Sequence, residues 1–271
     1  MPIEFPEDAA RKAKTREAMA AVRHKLLVMS GKGGVGKSTV SVHLAVAFSS
    51  KGRKTGLLDV DLHGPSIPKM LGLLGRRVEA DPEGLRPIPY SPYLGVVSMA
   101  NIVDERDAAV IWRGPRKGAA IRQLLADVRW GPLDYLIIDA PPGTGDEPLS
   151  IAQWVPGVRA VVVTTPQQVA VEDVRRSLRF ITKVAIPIAG VVENMSGLVC
   201  PHCGKEIELF GKGGGEDLAR DWGVPFLGRI PLDPALVQEA DRGRPFLERF
   251  PLTPTGRAFQ EIADRLETSL T

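Results

Sequence analysis

The stretch Gly31-Lys32-Gly33-Gly34-Val35-Gly36-Lys37-Ser38-Thr39 constrains this chain more than any other. Gly31, Gly36, Lys37 and Ser38 fill the phosphate-loop pattern G-x-x-x-x-G-K-[ST], and Gly33 and Gly34 add backbone freedom. Successive backbone N–H groups must curl around phosphate oxygens, which needs positive φ and leaves no room for Cβ atoms. The helix that follows turns its positive end toward the anion. Such a loop belongs between a buried strand and a helix, and the flanks supply both. Residues 25–30 form the short apolar run of a parallel strand, and Val42, Ala45, Val46 and Phe48 recur at helical spacing. Lys37 is expected to reach the β- and γ-phosphates and Ser38 to ligate Mg²⁺. Gly33, Gly34, Val35, Gly36 and Thr39 complete the expected nucleotide contacts. A Gly-rich turn that matches by chance is the bland alternative, and the strand and helix on either side argue against it.

With 271 residues, 44% of them hydrophobic, the chain can bury a core of one large α/β domain. Its 35 basic and 32 acidic residues are too evenly balanced to mark a nucleic-acid binder. There is no apolar run long enough to span a membrane and no apolar core of a signal peptide, so a cytoplasmic, membrane-free protein is expected. In that setting the two cysteines need explaining as thiols rather than as a disulfide.

Strands are predicted at 54–60, 94–99, 134–139, 160–165, 188–193 and 225–230. They alternate with helices at 119–128, 170–183, 215–222 and 235–241. Alternation of this kind gives a mostly parallel sheet with helices on both faces. Ser66, in the turn after His63, is expected to cap a short helix through Leu71, and residues 72–92 to be irregular or edge structure. An amphipathic helix is predicted over 11–25 with Ala18, Ala21 and Val22 inward, and a final helix over 254–270 with Phe259, Ile262, Ala263 and Leu266 inward. The domain organisation that follows is an N-terminal helical arm over 1–24 and one P-loop ATPase domain over 25–271.

Two strands end in acids. Mg²⁺ takes oxygen ligands and keeps several waters, which a carboxylate one shell out can orient, and Asp139 fits that task. Asp61, at the same sheet edge, is the choice for positioning the water that attacks the γ-phosphate. Asp59 is the runner-up for that role or a partner of the metal's waters, against the plainer reading of a strand-terminal turn acid. Lys32 cannot easily fold back onto the phosphates that Lys37 holds, so it is expected to reach a nucleotide in a facing subunit and to stabilise the transferring phosphoryl group in trans. A solvated lysine is the alternative.

Cys200-Pro201-His202-Cys203-Gly204 is the second sharp signal. A redox dithiol, half of a four-thiolate metal site and two inert thiols compete for it. A redox pair should open a helix, but the residues that follow alternate like a strand, and the C-P-x-C-G order resembles a metal knuckle in a loop at about 196–210. Zinc and iron–sulfur sites usually take four ligands, which a twofold axis through this loop would supply. His202, placed between the cysteines, points away from a metal they share.

These motifs, with Gly64-Pro65-Ser66, the run Pro141-Pro142-Gly143-Thr144-Gly145-Asp146, Asn194-Met195-Ser196 and Pro231-Leu232-Asp233-Pro234, resemble the Mrp/ApbC-like ATPases. These belong to the MinD and ParA group of deviant Walker A P-loop proteins. The resemblance implies a cytosolic homodimer that binds and slowly hydrolyses ATP. It further implies a [4Fe–4S] cluster between the subunits for transfer to apo-proteins, with scaffold proteins as further partners. It gives Asn194 an adenine contact and has Pro231 and Asp233 line the base pocket through their backbone. Functions seated in the N-terminal additions of some relatives are not expected here. The alternatives are a MinD- or ParA-like spatial regulator and an ATPase dimer stapled by zinc.

Overall fold

In a computed structural model, which describes residues 6–61, 64–102, 114–200, 203 and 205–270, the strand entering the phosphate loop is β1 (Val22–Ser30). It lies inside an eight-stranded sheet. On one side stand β7 (Leu133–Asp139), β2 (Thr55–Asp59), β6 (Leu94–Ser98) and the edge strand β5 (Ile88–Ser91). On the other stand β8 (Val158–Thr164), β9 (Ile188–Glu193) and β12 (Phe226–Arg229). All neighbours are parallel except β5, which runs antiparallel to β6. The chain leaves β1 toward β2 and returns from β7 to β8, so the order reverses around β1. The carboxyl ends of the strands at such a reversal are where open α/β sheets bind ligands.

Both faces of the sheet are covered, and successive residues of each strand feed opposite cores. Leu26 and Val28 of β1 enter one cluster, and Leu27 and Met29 the other. The first core is closed by α2 (Lys37–Ser50), α3 (Ile67–Met70), α8 (Pro234–Asp241), α9 (Phe246–Arg249) and α10 (Pro254–Leu270). The second is closed by α1 (Pro6–Ala20), α4 (Gly114–Asp127), α5 (Asp146–Trp154), α6 (Gln168–Lys183) and α7 (Gly214–Trp222). Two small antiparallel hairpins stand apart, β3 (Glu79–Asp81) with β4 (Gly84–Arg86) and β10 (Leu198–Val199) with β11 (Glu206–Ile207).

The fold class, a mostly parallel sheet with helices on both faces in a single domain, is the one the sequence predicts. Several details differ. The N-terminal helix ends at Ala20, because Val22 already pairs with Leu133 as the first residue of β1, ahead of residue 25. Among its described side chains Thr15 and Met19 are buried, and Ala21 beyond it is exposed. Ser66 precedes α3 without a side-chain cap bond, while a proline fills the first turn. His63 lies outside the described residues.

Helix α2 is buried nearly all round rather than on one stripe. Phe48 stacks on Tyr135 with ring centroids 4.0 Å apart, and His43 on Phe259 at 4.4 Å. His43 Nδ1–H donates to the Thr39 carbonyl at 2.8 Å, and burial lowers its pKa from 6.5 to about 4. Above pH 6.5 the imidazole is neutral folded and unfolded, and nothing is lost. Between pH 6.5 and about 4 the unfolded chain alone takes up the proton, so stability should fall by about 3 kcal/mol across that window. Urea unfolding as a function of pH measures this limb, and His43→Leu should remove it.

Candidate functional site

Between the carboxyl end of β1 and α2 the phosphate loop walls a cleft of about 230 Å³, lined by Ser30, Lys32 to Thr39, Asp61, Ser66, Met70 and Pro142. Two glycines are required there for different reasons. A Cβ at Gly31 would collide with the backbone of Asp173 in α6, so the loop is held tight against that helix. Gly36 has φ +81° and precedes α2, and a Cβ on it would strike the Asn194 amide. Ser30 Oγ donates to the Lys32 carbonyl at 2.9 Å, and the Gly143 amide to the Ser30 carbonyl at 2.9 Å. The 140–146 loop is thereby tied to the phosphate loop.

The acids come together because the strands are in register. Asp59 of β2 stands beside Asp139 of β7, and Ser98 of β6 beside Asp59. Asp139 is fully buried and engaged from three directions. Lys37 Nζ lies 2.8 Å from Oδ2, Ser38 Oγ donates to Oδ2 at 2.7 Å, and Ser41 Oγ donates to Oδ1 at 2.6 Å. One carboxylate thus organises the lysine and the hydroxyl expected to meet the phosphates and Mg²⁺. This donor set suits Mg²⁺: a hydroxyl oxygen on the cleft with an acid directly behind it.

Asp59 is also fully buried, with Oδ2 accepting from Ser98 Oγ at 2.9 Å and Oδ1 from the Asp61 amide at 3.0 Å. Asp59 shapes the turn after β2, and does so from inside the core. Burial, and then the neighbouring Asp139 carboxylate, push its pKa well above the carboxylate range. Asp61 is half-buried and opens onto the cleft, as does Lys32.

Asn194 follows β9 and is 5% exposed, with Nδ2 donating to the Val35 carbonyl at 2.8 Å. Its side chain is bound to the phosphate loop itself. Pro231 and Asp233 line a separate, mainly apolar cavity of about 420 Å³ with Leu198, Leu232, Ala235 and Gln238. The Asp233 side chain is committed to structure, capping α8 through the Ala235 amide at 3.0 Å and accepting from Thr255 Oγ1 at 2.9 Å. The carboxylate of Asp233 is thus engaged within the fold, while Pro231 and Leu232 line the same cavity.

Cys200 and Cys203 are not in the cleft. They sit on the β10–β11 hairpin, which leaves the same carboxyl edge of the sheet after β9. Cys200 is half-buried, Cys203 is exposed and neither is in a disulfide. Among the described residues no group of three or more His, Cys, Asp or Glu could hold a metal ion. His202, Pro201 and Gly204 lie outside the described residues.

Sequence reading misses Ser41, whose place three residues after Ser38 on α2 brings it to the same carboxylate, and Ser98, which reads as an ordinary strand end. It also misses Glu193, a fully buried acid at the end of β9 whose partners come from 196, 213 and 215.

A family model described as the NUBPL iron-transfer P-loop NTPase, of the ParA group, matches residues 21–267. The iron-sulfur cluster carrier protein of Methanocaldococcus jannaschii is 50% identical over 236 residues, covering 87% of this chain and 81% of that protein. The cytosolic Fe-S cluster assembly factor NUBP2 of Homo sapiens is 48% identical over 253 residues, covering 92% and 93%. A nucleotide-binding protein of Archaeoglobus fulgidus, solved in complex with ADP, superposes with a TM-score of 0.74 at 38% identity, covering 86% of this chain and 92% of its own. The cell-division ATPase MinD of Pyrococcus furiosus, at 24% identity and TM-score 0.65 over 91% and 99%, shares the fold. From a match running nearly end to end and relatives close to half identical, this chain belongs to the NUBPL-type iron-transfer P-loop NTPases of the ParA group.

Proposed function

We propose that this chain is an ATP-hydrolysing iron–sulfur cluster carrier that acts in the cytoplasm as a homodimer. Two copies hold a [4Fe–4S] cluster, their cargo, between the Cys200 and Cys203 thiolates of each, receive it from scaffold proteins and pass it to apo-proteins. The observation that carries the reading is a pair of cysteines three residues apart on the β10–β11 hairpin, neither in a disulfide and Cys203 exposed. Two thiolates make half a cluster site, and a twofold axis makes the whole. The names of the M. jannaschii and human relatives support an iron–sulfur cluster as the cargo.

At the other end ATP occupies the phosphate loop, its phosphates on the backbone N–H groups of 33–39 and on Lys37. Asp139 fixes Ser38 in place, and Ser38 would hold Mg²⁺, which would supply charge neutralisation at the phosphates. Asn194 and the backbone from Pro231 to Asp233 receive the adenine. Asp61 orients a water whose oxygen bonds to the γ-phosphorus as the bond to the bridging oxygen breaks and ADP leaves. Asp59 steadies Asp61 through its amide, and Lys32 of the facing copy stabilises the charge that spreads over the phosphoryl group.

Anaerobic reconstitution with iron and sulfide tests the cargo. The expected result is a broad visible absorption with four iron and four sulfide per dimer, on the four-thiolate stoichiometry of such clusters, about two of each per chain. Zinc at one ion per dimer, with no sulfide, would overturn it in favour of a stapled dimer.

A further inference from the structure

One short segment, 193–198, runs between the phosphate loop and the cysteine hairpin, and its bonds point both ways. Asn194 Nδ2 holds the Val35 carbonyl inside the loop at 2.8 Å. One residue earlier, the buried Glu193 accepts from Ser196 Oγ at 2.6 Å and from the Gly213 amide at 3.0 Å through Oε1, and from the Gly215 amide at 2.6 Å through Oε2. Gly213 caps the start of α7, so the carboxyl sits at that helix's positive end. The Arg229 guanidinium lies alongside, with Nε 3.3 Å from Oε1. Past Ser196 the chain is bound to the β12 side, with Ser196 N donating to Ile230 O at 3.0 Å and Leu232 N to Gly197 O at 2.7 Å. Leu198 then begins β10, and the Cys200 amide donates to the Lys205 carbonyl at 2.9 Å to close the hairpin.

The segment has little slack. Met195 and Gly197 both lie at positive φ, 56° and 76°, so two left-handed residues bracket Ser196. A displacement of Val35 reaches Asn194 through a side-chain bond, and Asn194 is two residues from the hydroxyl that Glu193 fixes. A buried acid is also an expensive way to hold a fold together, since well-packed apolar residues do so without a desolvation penalty. Glu193 ties Ser196, in the turn between Asn194 and the cysteine hairpin, to the start of α7.

We propose that Glu193 is a positioning residue that locks this turn through Ser196, so that nucleotide in the phosphate loop sets how accessible Cys200 and Cys203 are. The inference rests on the carrier reading for its purpose, because the thiols matter as cluster ligands. The linkage itself needs no cluster. Nucleotide can shift the hairpin only if the loop's two arrangements bind it differently, and the Val35–Asn194 bond is where that difference enters.

The test uses the full-length, cluster-free, reduced chain. Iodoacetamide labelling of Cys200 and Cys203 is followed by mass spectrometry with and without Mg-ADP or a non-hydrolysable ATP analogue. The wild-type labelling rate is expected to change about fivefold or more on nucleotide binding, the lower range of ordinary site-to-site coupling. In Glu193→Gln an amide NH₂ meets donors that the carboxyl accepted. The nucleotide-dependent ratio should then collapse toward one while nucleotide affinity holds. A merely structural Glu193 would change the unfolding temperature and the labelling rate equally in both conditions and leave the ratio intact. That result, or a wild-type ratio of one, overturns the proposal. Should Glu193→Gln not fold, Ser196→Ala removes a single one of these bonds and is read by the same ratio, which should again fall. Iron content measured in parallel keeps the two readings apart. Thiols that answer to nucleotide but take no iron refute the carrier and preserve the linkage, while iron binding with a wild-type ratio of one does the reverse.

Discussion

Replacing both Cys200 and Cys203 with alanine is expected to reduce bound iron and sulfide after anaerobic reconstitution to background, with nucleotide affinity and folding preserved. The physical ground is where the thiols sit. Neither belongs to either hydrophobic core, and the hairpin that carries them is held by backbone pairing of Leu198 with Ile207 and Val199 with Glu206. Losing two sulfur atoms from a partly exposed hairpin leaves no buried cavity, so the effect on stability should stay within about 0.5 kcal/mol. Either single variant should lose the cargo almost as fully, since a four-thiolate site shared by two chains would keep only two ligands. Iron assay and calorimetry on the three variants settle this. A double variant that still binds iron at wild-type level would refute the assignment of the pair.

Lys37→Ala should have the second large effect, in two currencies. Loss of the ammonium proposed to meet the β- and γ-phosphates should slow ATP hydrolysis by about 10²–10³-fold, the usual magnitude for removing one charge-stabilising donor. The same change strands Asp139, which is fully buried and 2.8 Å from that ammonium. Breaking a buried pair from one side costs about 3–5 kcal/mol, and Ser38 and Ser41 still donate to the carboxylate, so the lower figure is expected. Adding Asp139→Asn should restore much of the unfolding temperature and none of the turnover, because it relieves the stranded charge without replacing the cation. Steady-state phosphate release and a double-mutant cycle in calorimetry separate the two effects. Hydrolysis within tenfold of wild type in Lys37→Ala would remove Lys37 from the chemistry.

Much of this could be read from the chain, for identifiable reasons. Strand β9 and helix α10 end where the sequence predicts, the first an apolar run between Pro187 and Asn194, the second opened by Pro254 with a clean inner stripe. The phosphate loop was legible because its glycines answer to steric demands that few other residues meet. What stayed hidden depends on register and on distant partners. Asp59 looks like a turn residue until β2 is laid beside β7, which sets it against Asp139. Ser41 looks like helix filler, and Glu193 like the polar end of a strand, because its acceptors are used by amides twenty residues further on. The Pro- and Gly-dense stretch 72–92 resolves into strands of three or four residues, too short for any periodicity to show.

The enclosure of α2 has a further consequence for how such a chain can vary. A helix packed on every side against the sheet, α10 and α9 cannot pivot without opening a void on one flank and overlapping atoms on the other. Helix α2 is therefore a fixed anvil behind the phosphate loop, and substitutions around Val40, Leu44 and Phe48 are answered by many neighbours at once. Among the described residues, none of the cysteine hairpin belongs to either core. Its residues can be exchanged or the hairpin lengthened without repacking the domain, so on the carrier reading proposed above the thiol end is free to diverge while the packing behind the phosphate loop is held constant.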